Sequence, residues 1–358
     1  MSSPVDCDAS CGEFPEVSWT DERFSYIIRL RQKALELARL SLADFFFSID
    51  ADVFLTNPST LEHLMSTGSL VVGPLLPSAG LYSNFWAGMT ETFYYQRTEE
   101  YRWILDRKMV GVHEVPMVHS SLLVDLRQEE SDLLAYEPAM VKDYTGPVDD
   151  MIVFALSARL AAQKLYVDNR EHYGVIMLPL DEKQQLKDDL PMLVSTLLEA
   201  TVKGPIIKVL PSLVSHIQPL PPKSKLGFDE IFMVNLERRQ DRHDRMKYNF
   251  DNLGIDYELV PAVDGRKMDE TFLAKKGIKM LPQFSEPFHG RALTYGEIGC
   301  FLSHYQLWQR MVAEKLETVL IFEDDIKFEP YFVEKLEYLK KELVELGDRY
   351  LKKINKNI

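Results

Sequence analysis

The spacing of hydrophobic residues alternates between helical and strand patterns along most of the chain. Residues 22–43 place Ile27, Leu30 and Ala34 at helical intervals and predict an amphipathic helix. Residues 45–49 follow as a continuous apolar run, which predicts a strand buried on both faces of a parallel sheet. Residues 69–74 predict the next strand. The alternation of helices and strands predicts an α/β fold.

The same alternation returns in the second half of the chain, where residues 230–261 predict a strand, a helix and another strand. A chain of 358 residues exceeds one average domain. Residues 203–226 are rich in proline and lack a helical or strand period, which predicts a linker. We therefore predict two domains, at residues 19–202 and 227–358.

One predicted strand in each half ends in acidic residues. Asp50 and Asp52 follow the first apolar run, and Glu323 and Asp325 close a similar run in the second half. In open α/β sheets, ligands bind just beyond the carboxyl ends of the strands. Paired carboxylates at that position suit a hard divalent cation such as Mg²⁺ or Mn²⁺ shared with a diphosphate. The alternative is that each pair only closes a strand and begins a turn, where aspartate is common.

Asp149 and Asp150 stand at the start of an apolar helical segment. Carboxylates at a helix N-terminus accept hydrogen bonds from free N–H groups and meet a favourable dipole. A carboxylate at the edge of a pocket can also act as a general base. The sequence favours the capping role over the catalytic one.

Thr294 and Glu297 have the spacing of a capping box and predict the start of a helix through residue 311. His304 lies seven residues after Glu297, nearly two helical turns, so the two side chains share a face. We predict that this face turns toward Glu323 and Asp325. Capping is the favoured role of Glu297.

Composition excludes several classes of protein. The formal charge of −14 argues against binding to the phosphate backbone of nucleic acids. The chain is 46% hydrophobic and 27% charged, and it has no apolar run long enough to span a bilayer. Residues 1–10 have neither the basic nor the apolar region of a secretion signal. Cys7, Cys11 and Cys300 cannot all pair, and a Cys7–Cys11 disulfide and a free surface pair both remain open.

Several motifs together resemble glycosyltransferase family 25. In the second half these are FMVNLERRQDR at 232–242, AVDG at 262–265, LTYGEIGCFLSH at 293–304 and FEDD at 322–325. In the first half they are IDAD at 49–52, YSNFW at 82–86, VPMVHS at 115–120 and DDMIVF at 149–154. The first-half motifs resemble the amino-terminal domain of the procollagen galactosyltransferases and of the related cerebral endothelial cell adhesion molecule. The resemblance runs from about residue 19 to about residue 336.

The resemblance implies two GT-A-like (Rossmann-type) α/β glycosyltransferase domains in tandem, located in the lumen of the endoplasmic reticulum. It implies transfer of galactose from UDP-galactose to hydroxylysine of collagen, with Mn²⁺ or Mg²⁺. Asp50 and Asp52 would bind the metal and the donor in the first domain. Glu323 and Asp325 would be their counterparts in the second domain, with Glu297 and His304 beside them. Asp150 is the first candidate for the general base, and Asp149 the second.

The chain departs from the family pattern at both ends. We expect both domains to be incomplete, because the opening strand and signal peptide before Asp50 and much of the domain after Asp325 are absent, together with the carboxy-terminal retention sequence. From about residue 337 a Lys/Glu-rich helical pattern replaces the family pattern. We therefore expect little galactose transfer by this chain as written. The competing interpretation is a non-catalytic secretory or adhesion protein that retains the fold.

Overall fold

A computed structural model describes residues 20–180, 184–207, 211–212 and 219–354. The chain divides into an N-terminal unit, residues 1–207, and a C-terminal unit, residues 208–358. The division falls inside the predicted linker. Cys7 and Cys11, and with them the predicted disulfide alternatives, lie outside the described residues.

The predicted alternation of helices and strands is confirmed. The helices are α1 (Asp21–Leu40), α2 (Thr60–Met65), α3 (Glu99–Leu105), α4 (Asp150–Leu160), α5 (Asp189–Lys203), α6 (Gln240–Leu253), α7 (Glu270–Lys275), α8 (Tyr295–Glu314) and α9 (Phe332–Ile354). The strands are β1 (Phe45–Ile49), β2 (Val53–Leu55), β3 (Val71–Pro74), β4 (Phe85–Trp86), β5 (Val112–Val115), β6 (Met117–Val118), β7 (Ser121–Asp125), β8 (Leu165–Asp168), β9 (Gly174–Ile176), β10 (Glu230–Asn235), β11 (Glu258–Pro261) and β12 (Val319–Glu323). No helix in these described ranges is long and apolar enough to cross a membrane.

The largest sheet among the described residues belongs to the N-terminal unit and has the strand order β1-β7-β3-β8-β5. Only the β3–β8 pair is parallel in this sheet, and the other three pairs are antiparallel. The prediction that residues 45–49 form a strand buried on both faces of a parallel sheet is therefore wrong. Strand β1 lies at the sheet edge, pairs antiparallel with β7, and leaves Ile49 46% exposed.

The apolar run of β1 has a different explanation from full burial. Its phenylalanines alternate between two hydrophobic clusters, with Phe46 against the cluster that contains Leu35 of α1 and Phe45 and Phe47 against the cluster that contains Leu64 of α2. Partial contact on both faces is enough to favour apolar side chains along an edge strand, because alternate residues of a strand point to opposite faces.

The C-terminal unit contains a parallel sheet with the order β11-β10-β12 among its described residues. Strand β10 is its buried centre, with Ile231, Phe232 and Met233 fully enclosed, whereas the acidic strand β12 is an edge strand with half-buried residues. The carboxyl ends of parallel strands meet at one edge of a sheet, which is where ligands bind in this class of fold.

Helix α8 approaches this edge closely. The capping box of Thr294 and Glu297 that starts the helix is confirmed. A Cβ atom at Gly299 would overlap the carbonyl oxygen of Val263 in the loop after β11, so only glycine permits this approach. The close packing brings the next turns of α8, with Cys300 and His304, to the carboxyl ends of the strands.

Candidate functional site

A cavity of about 520 Å³ lies at the carboxyl ends of β10, β11 and β12 in the C-terminal unit. Its walls come from the ends of β10 and β12, from the loops that follow the three strands, and from helices α6 and α8. The residues that line it are Val234, Leu236, Arg238, Arg242, Ala262, Val263, Asp264, Gly265, Arg266, Tyr295, Gly296, Cys300, Ser303, His304, Glu323, Asp324 and Asp325.

The carboxylates at the end of β12 have different surroundings. Asp324 is 7% exposed and accepts hydrogen bonds from Asn235 Nδ2 and Arg242 Nη1, each at 2.8 Å. Asp325 is exposed and accepts from the same Arg242 nitrogen at 3.1 Å. Arg242 thus holds two consecutive carboxylates at the rim of the cavity. The sequence prediction selected Glu323 and Asp325 as site residues and did not select Asp324 and Arg242, although the motifs at 322–325 and 232–242 contain them.

Two side chains of α8 contact the carboxylate of Glu323. His304 Nε2 lies 3.0 Å from Glu323 Oε1, and Cys300 Sγ donates to the same oxygen at 3.6 Å. The structure therefore places His304 against the acidic strand, as the helical spacing predicts. Cys300 was not among the predicted site residues, although its spacing of four residues before His304 puts it on the same helical face.

Glu297 makes different contacts. Its carboxylate accepts hydrogen bonds from the backbone N–H and the hydroxyl of Thr294 and from both terminal nitrogens of Arg291. The Arg291 hydrogen bonds, followed by those of Thr294, lower the pKa of Glu297 to about 2. These contacts give Glu297 the capping role that the sequence favours, and it is not among the residues that line the cavity.

A second acidic cluster lies in the N-terminal unit, at the end of β1. Arg31 of α1 bridges two carboxylates, with Nη2 at 2.7 Å from Asp50 Oδ1 and Nε at 2.6 Å from Asp150 Oδ2. Asp150 is 2% exposed, and this burial raises its pKa although the charge of Arg31 opposes the shift. The sequence did not predict the role of Arg31, which was one of several arginines on an amphipathic helix.

Asp149 is the N-cap of α4. Its Oδ1 accepts hydrogen bonds from the backbone N–H groups of Met151 at 3.0 Å and Ile152 at 3.1 Å. The capping alternative is therefore confirmed for Asp149. Asp150 stands one residue later, inside the first turn, and uses its carboxylate for the ion pair with Arg31.

Asp52 lies close to Asp50 and is half-buried. Burial, followed by the charge of Asp50, raises the pKa of Asp52. A cation bound between the two carboxylates would relieve that repulsion, so the oxygen donors of this pair fit a hard divalent ion.

His119 lies beside the acidic cluster and is 3% exposed. Its Nδ1 lies 2.9 Å from Ser120 Oγ, and its ring lies 5.9 Å from the ring of Tyr82. Burial, followed by the positive charge of Arg31, lowers the pKa of His119 to about 4, which keeps the ring neutral at physiological pH. The backbone N–H of Asp50 donates to the carbonyl oxygen of Ser120 at 2.7 Å. This hydrogen bond connects the segment that carries His119 to the end of β1.

Comparison with known proteins identifies the family. Residues 7–197 match the description "Glycosyltransferase family 25, N-terminal domain", and residues 228–357 match "Glycosyltransferase family 25 (LPS biosynthesis protein)". The chain belongs to glycosyltransferase family 25. The second match continues through α9, beyond the point near residue 336 where the resemblance read from the motifs ends.

Individual relatives in family 25 cover most of the chain. A "Glycosyltransferase 25 family member" of Aedes aegypti is 46% identical over 316 residues, which are 88% of this chain and 52% of the relative. "Procollagen galactosyltransferase 1-A" of Xenopus laevis is 46% identical over 321 residues, 90% of this chain and 52% of the relative. "Procollagen galactosyltransferase 2" of Homo sapiens is 45% identical over 318 residues, 89% of this chain and 50% of the relative. The chain spans about half the length of the curated relatives it matches.

Proposed function

We propose that this family 25 protein transfers galactose from UDP-galactose to hydroxylysine side chains of collagen or a collagen-like protein. The observation that carries the proposal is the cavity at the carboxyl ends of β10, β11 and β12, where acidic, basic and imidazole side chains converge. The names of the Xenopus and human relatives support galactose as the sugar and procollagen as the acceptor. The same resemblance supports the lumen of the endoplasmic reticulum as the compartment.

The cavity offers positive charge for a nucleoside diphosphate. Arg238, Arg242 and Arg266 line its walls, and Arg238 and Arg242 are paired with the carboxylates of Asp264 and Asp324. Guanidinium groups bind phosphate oxygens in a bidentate manner, and pre-existing ion pairs hold them in position. Tyr295, 40% exposed at the start of α8, adds an aromatic surface for a base or sugar ring.

Two pairs of carboxylates fit a bound Mn²⁺ or Mg²⁺. Glu323 and Asp325 are 47% and 59% exposed and line the cavity, and Asp50 and Asp52 form the corresponding pair in the N-terminal unit. When bound, such an ion would neutralise negative charge on the departing diphosphate. Arg242 orients Asp324 and Asp325, and Arg31 orients Asp50 and Asp150, which is the part of the chemistry that the chain itself supplies.

The transfer also requires a group that accepts the proton of the acceptor hydroxyl. An α-linked donor and a β-linked product imply inversion, for which a single carboxylate base suffices. For transfer in the N-terminal unit Asp150 is our candidate, because its raised pKa favours proton uptake and Arg31 fixes its position. Asp149 is the weaker candidate, since its side-chain oxygen is engaged by the helix cap.

The proposal is tested by galactose transfer from radiolabelled UDP-galactose to a hydroxylysine-containing collagen peptide with Mn²⁺, using this chain beside a version extended at both ends. We expect turnover that falls at least about tenfold in Asp325→Asn or Asp52→Asn, since each removes an oxygen ligand. Asp256→Asn and Glu91→Gln change exposed acids outside both clusters and serve as matched controls. Absence of transfer by the unaltered protein under all metal conditions would favour the non-catalytic alternative.

A further inference from the structure

We propose that Cys300, His304 and Glu323 form a binding site for Zn²⁺ or a similar thiophilic divalent cation. Among the described residues, each of the three offers one ligand atom, and these atoms all lie within 4.8 Å of one another. The three residues belong to α8 and to the end of β12. Zinc binding at this position needs no nucleotide sugar, so it can be measured separately from the proposed transfer reaction, although Glu323 belongs to both sites.

The secondary structure fixes the geometry of the site. Cys300 and His304 are four residues apart on α8, so both side chains project from one face of the helix. The close contact between Gly299 and Val263 holds that helical turn against the sheet. Glu323 is the last residue of β12 and points at the same face of α8.

The distances already approach those of a coordination shell. Cys300 Sγ lies 3.6 Å and His304 Nε2 lies 3.0 Å from Glu323 Oε1. Ligand atoms bound to one tetrahedral zinc at about 2.0 to 2.3 Å lie roughly 3.3 to 3.8 Å apart. All three ligand atoms lie within 4.8 Å of one another, and side-chain rotation would have to close the remaining difference.

The donor set decides which cation the site prefers. Sulfur and imidazole favour Zn²⁺ and related transition metals, whereas Mg²⁺ and Mn²⁺ prefer oxygen ligands. Binding requires the thiolate form of Cys300, so coordination releases the thiol proton to solvent. Three protein ligands would leave a fourth coordination position for water. All three residues line the cavity that Arg242 and Asp325 also line.

The site has a consequence for the acids at the end of β12. A zinc ion held by Cys300 and His304 engages Glu323 and withdraws it from any shared oxygen site with Asp325. We therefore infer that Zn²⁺ and a cation held by Glu323 and Asp325 exclude each other. A hydrogen-bonded pair of His304 and Glu323 beside an inert thiol is the alternative that the experiment must distinguish.

The test uses Co²⁺ as a spectroscopic substitute for Zn²⁺, in the absence of nucleotide. Cys7 and Cys11 are replaced by serine first, because they are the other cysteines of the chain. We expect one Co²⁺ per chain, a near-ultraviolet band from cobalt–thiolate charge transfer, and loss of that band when one equivalent of Zn²⁺ is added. Absence of the band, or a band found only while Cys7 and Cys11 are present, would overturn the proposal.

Single substitutions in the same background assign the ligands. Cys300→Ser should abolish the charge-transfer band, and His304→Ala and Glu323→Gln should keep it but weaken Zn²⁺ binding. Loss of a direct ligand should cost at least as much affinity as loss of an outer-shell partner, about tenfold to a hundredfold. His172→Ala, an exposed histidine of the N-terminal unit, is the matched control and should bind unchanged.

Circular dichroism of each variant without metal verifies that the fold is retained. Should Cys300→Ser fail to fold, the reduced affinity of Glu323→Gln alone still supports the site. Unchanged Zn²⁺ affinity in both His304→Ala and Glu323→Gln would refute it. Because none of these measurements uses UDP-galactose, they succeed or fail independently of the transfer reaction.

Discussion

Replacement of Arg31 by methionine tests the electrostatic organisation of the N-terminal unit. The change keeps much of the aliphatic stem but removes the cation that pairs with Asp50 at 2.7 Å and with Asp150 at 2.6 Å. The Asp150 side chain is 3% exposed, so its charge would remain buried without a partner. Breaking a buried ion pair from one side costs about 3 to 5 kcal/mol in the free energy of unfolding. Loss of the pair with Asp50 adds less to this destabilisation, because the Asp50 side chain is 27% exposed and water screens its charge.

The destabilisation should depend on pH in a defined direction. The pKa of Asp150 is already raised in the folded protein, with burial as the main cause, and loss of Arg31 raises it further. A carboxyl group whose folded pKa lies above its unfolded pKa binds protons more tightly when folded, so it costs stability as the pH rises between the two values. The defect of Arg31→Met should therefore grow as the pH rises above the unfolded pKa of an aspartate, about 3.9. Adding Asp150→Asn should restore much of the loss, since a neutral amide is less costly to bury.

The assay is urea unfolding followed by hydrogen exchange of peptides from the N-terminal unit, because a probe of the whole chain would mix the two units. Arg29→Met, two residues away and exposed on the same helix, is the control and should change stability by less than about 0.5 kcal/mol. Equal, small effects of Arg29→Met and Arg31→Met would refute the role given to Arg31. A pH-independent loss in Arg31→Met would refute its electrostatic origin.

Further predictions concern His119 and the contact of α8 with the sheet. The folded pKa of His119 is about 4, below its unfolded value, so the unfolded state binds the proton first and stability falls as the pH drops below about 6.5. His119→Asn should reduce this dependence of the free energy of unfolding on pH. An unchanged slope between pH 6.5 and pH 4 would contradict the prediction. Gly299→Ala places a Cβ atom on the Val263 carbonyl and should lower the melting temperature of the C-terminal unit by several degrees, whereas Gly277→Ala, where the structure leaves open space, should cost only the strain of its positive φ.

Much of the fold was predictable because local patterns decide it. The helical period of residues 22–43, the apolar run of β10 and the capping box at Thr294 each act over a few residues, and the structure confirms all three. The contact of His304 with Glu323 was also predictable from the sequence, since one helical face and one strand end define it.

The remaining features depend on pairing between distant segments. Strand β1 pairs antiparallel with β7, more than seventy positions later, and the apolar character of β1 does not reveal that it is an edge strand. Several arginines occur on α1, and only the packing of that helix selects Arg31 for Asp50 and Asp150. Asp324 stands between the two predicted acids, and its role follows from Asn235 and Arg242, which no spacing rule connects to it.

The central claim is that the acid clusters belong to a glycosyltransferase that uses UDP-galactose, and donor binding tests it most directly. Calorimetric titration of UDP-galactose in the presence of Mn²⁺ should show binding to the unaltered chain. The account predicts that Asp325→Asn or Asp52→Asn weakens this binding at least about tenfold, because a charged oxygen ligand of the shared cation is lost. It also predicts that Asp256→Asn leaves the affinity unchanged. Equal affinity for UDP-galactose in the unaltered chain, Asp325→Asn and Asp52→Asn would contradict the account.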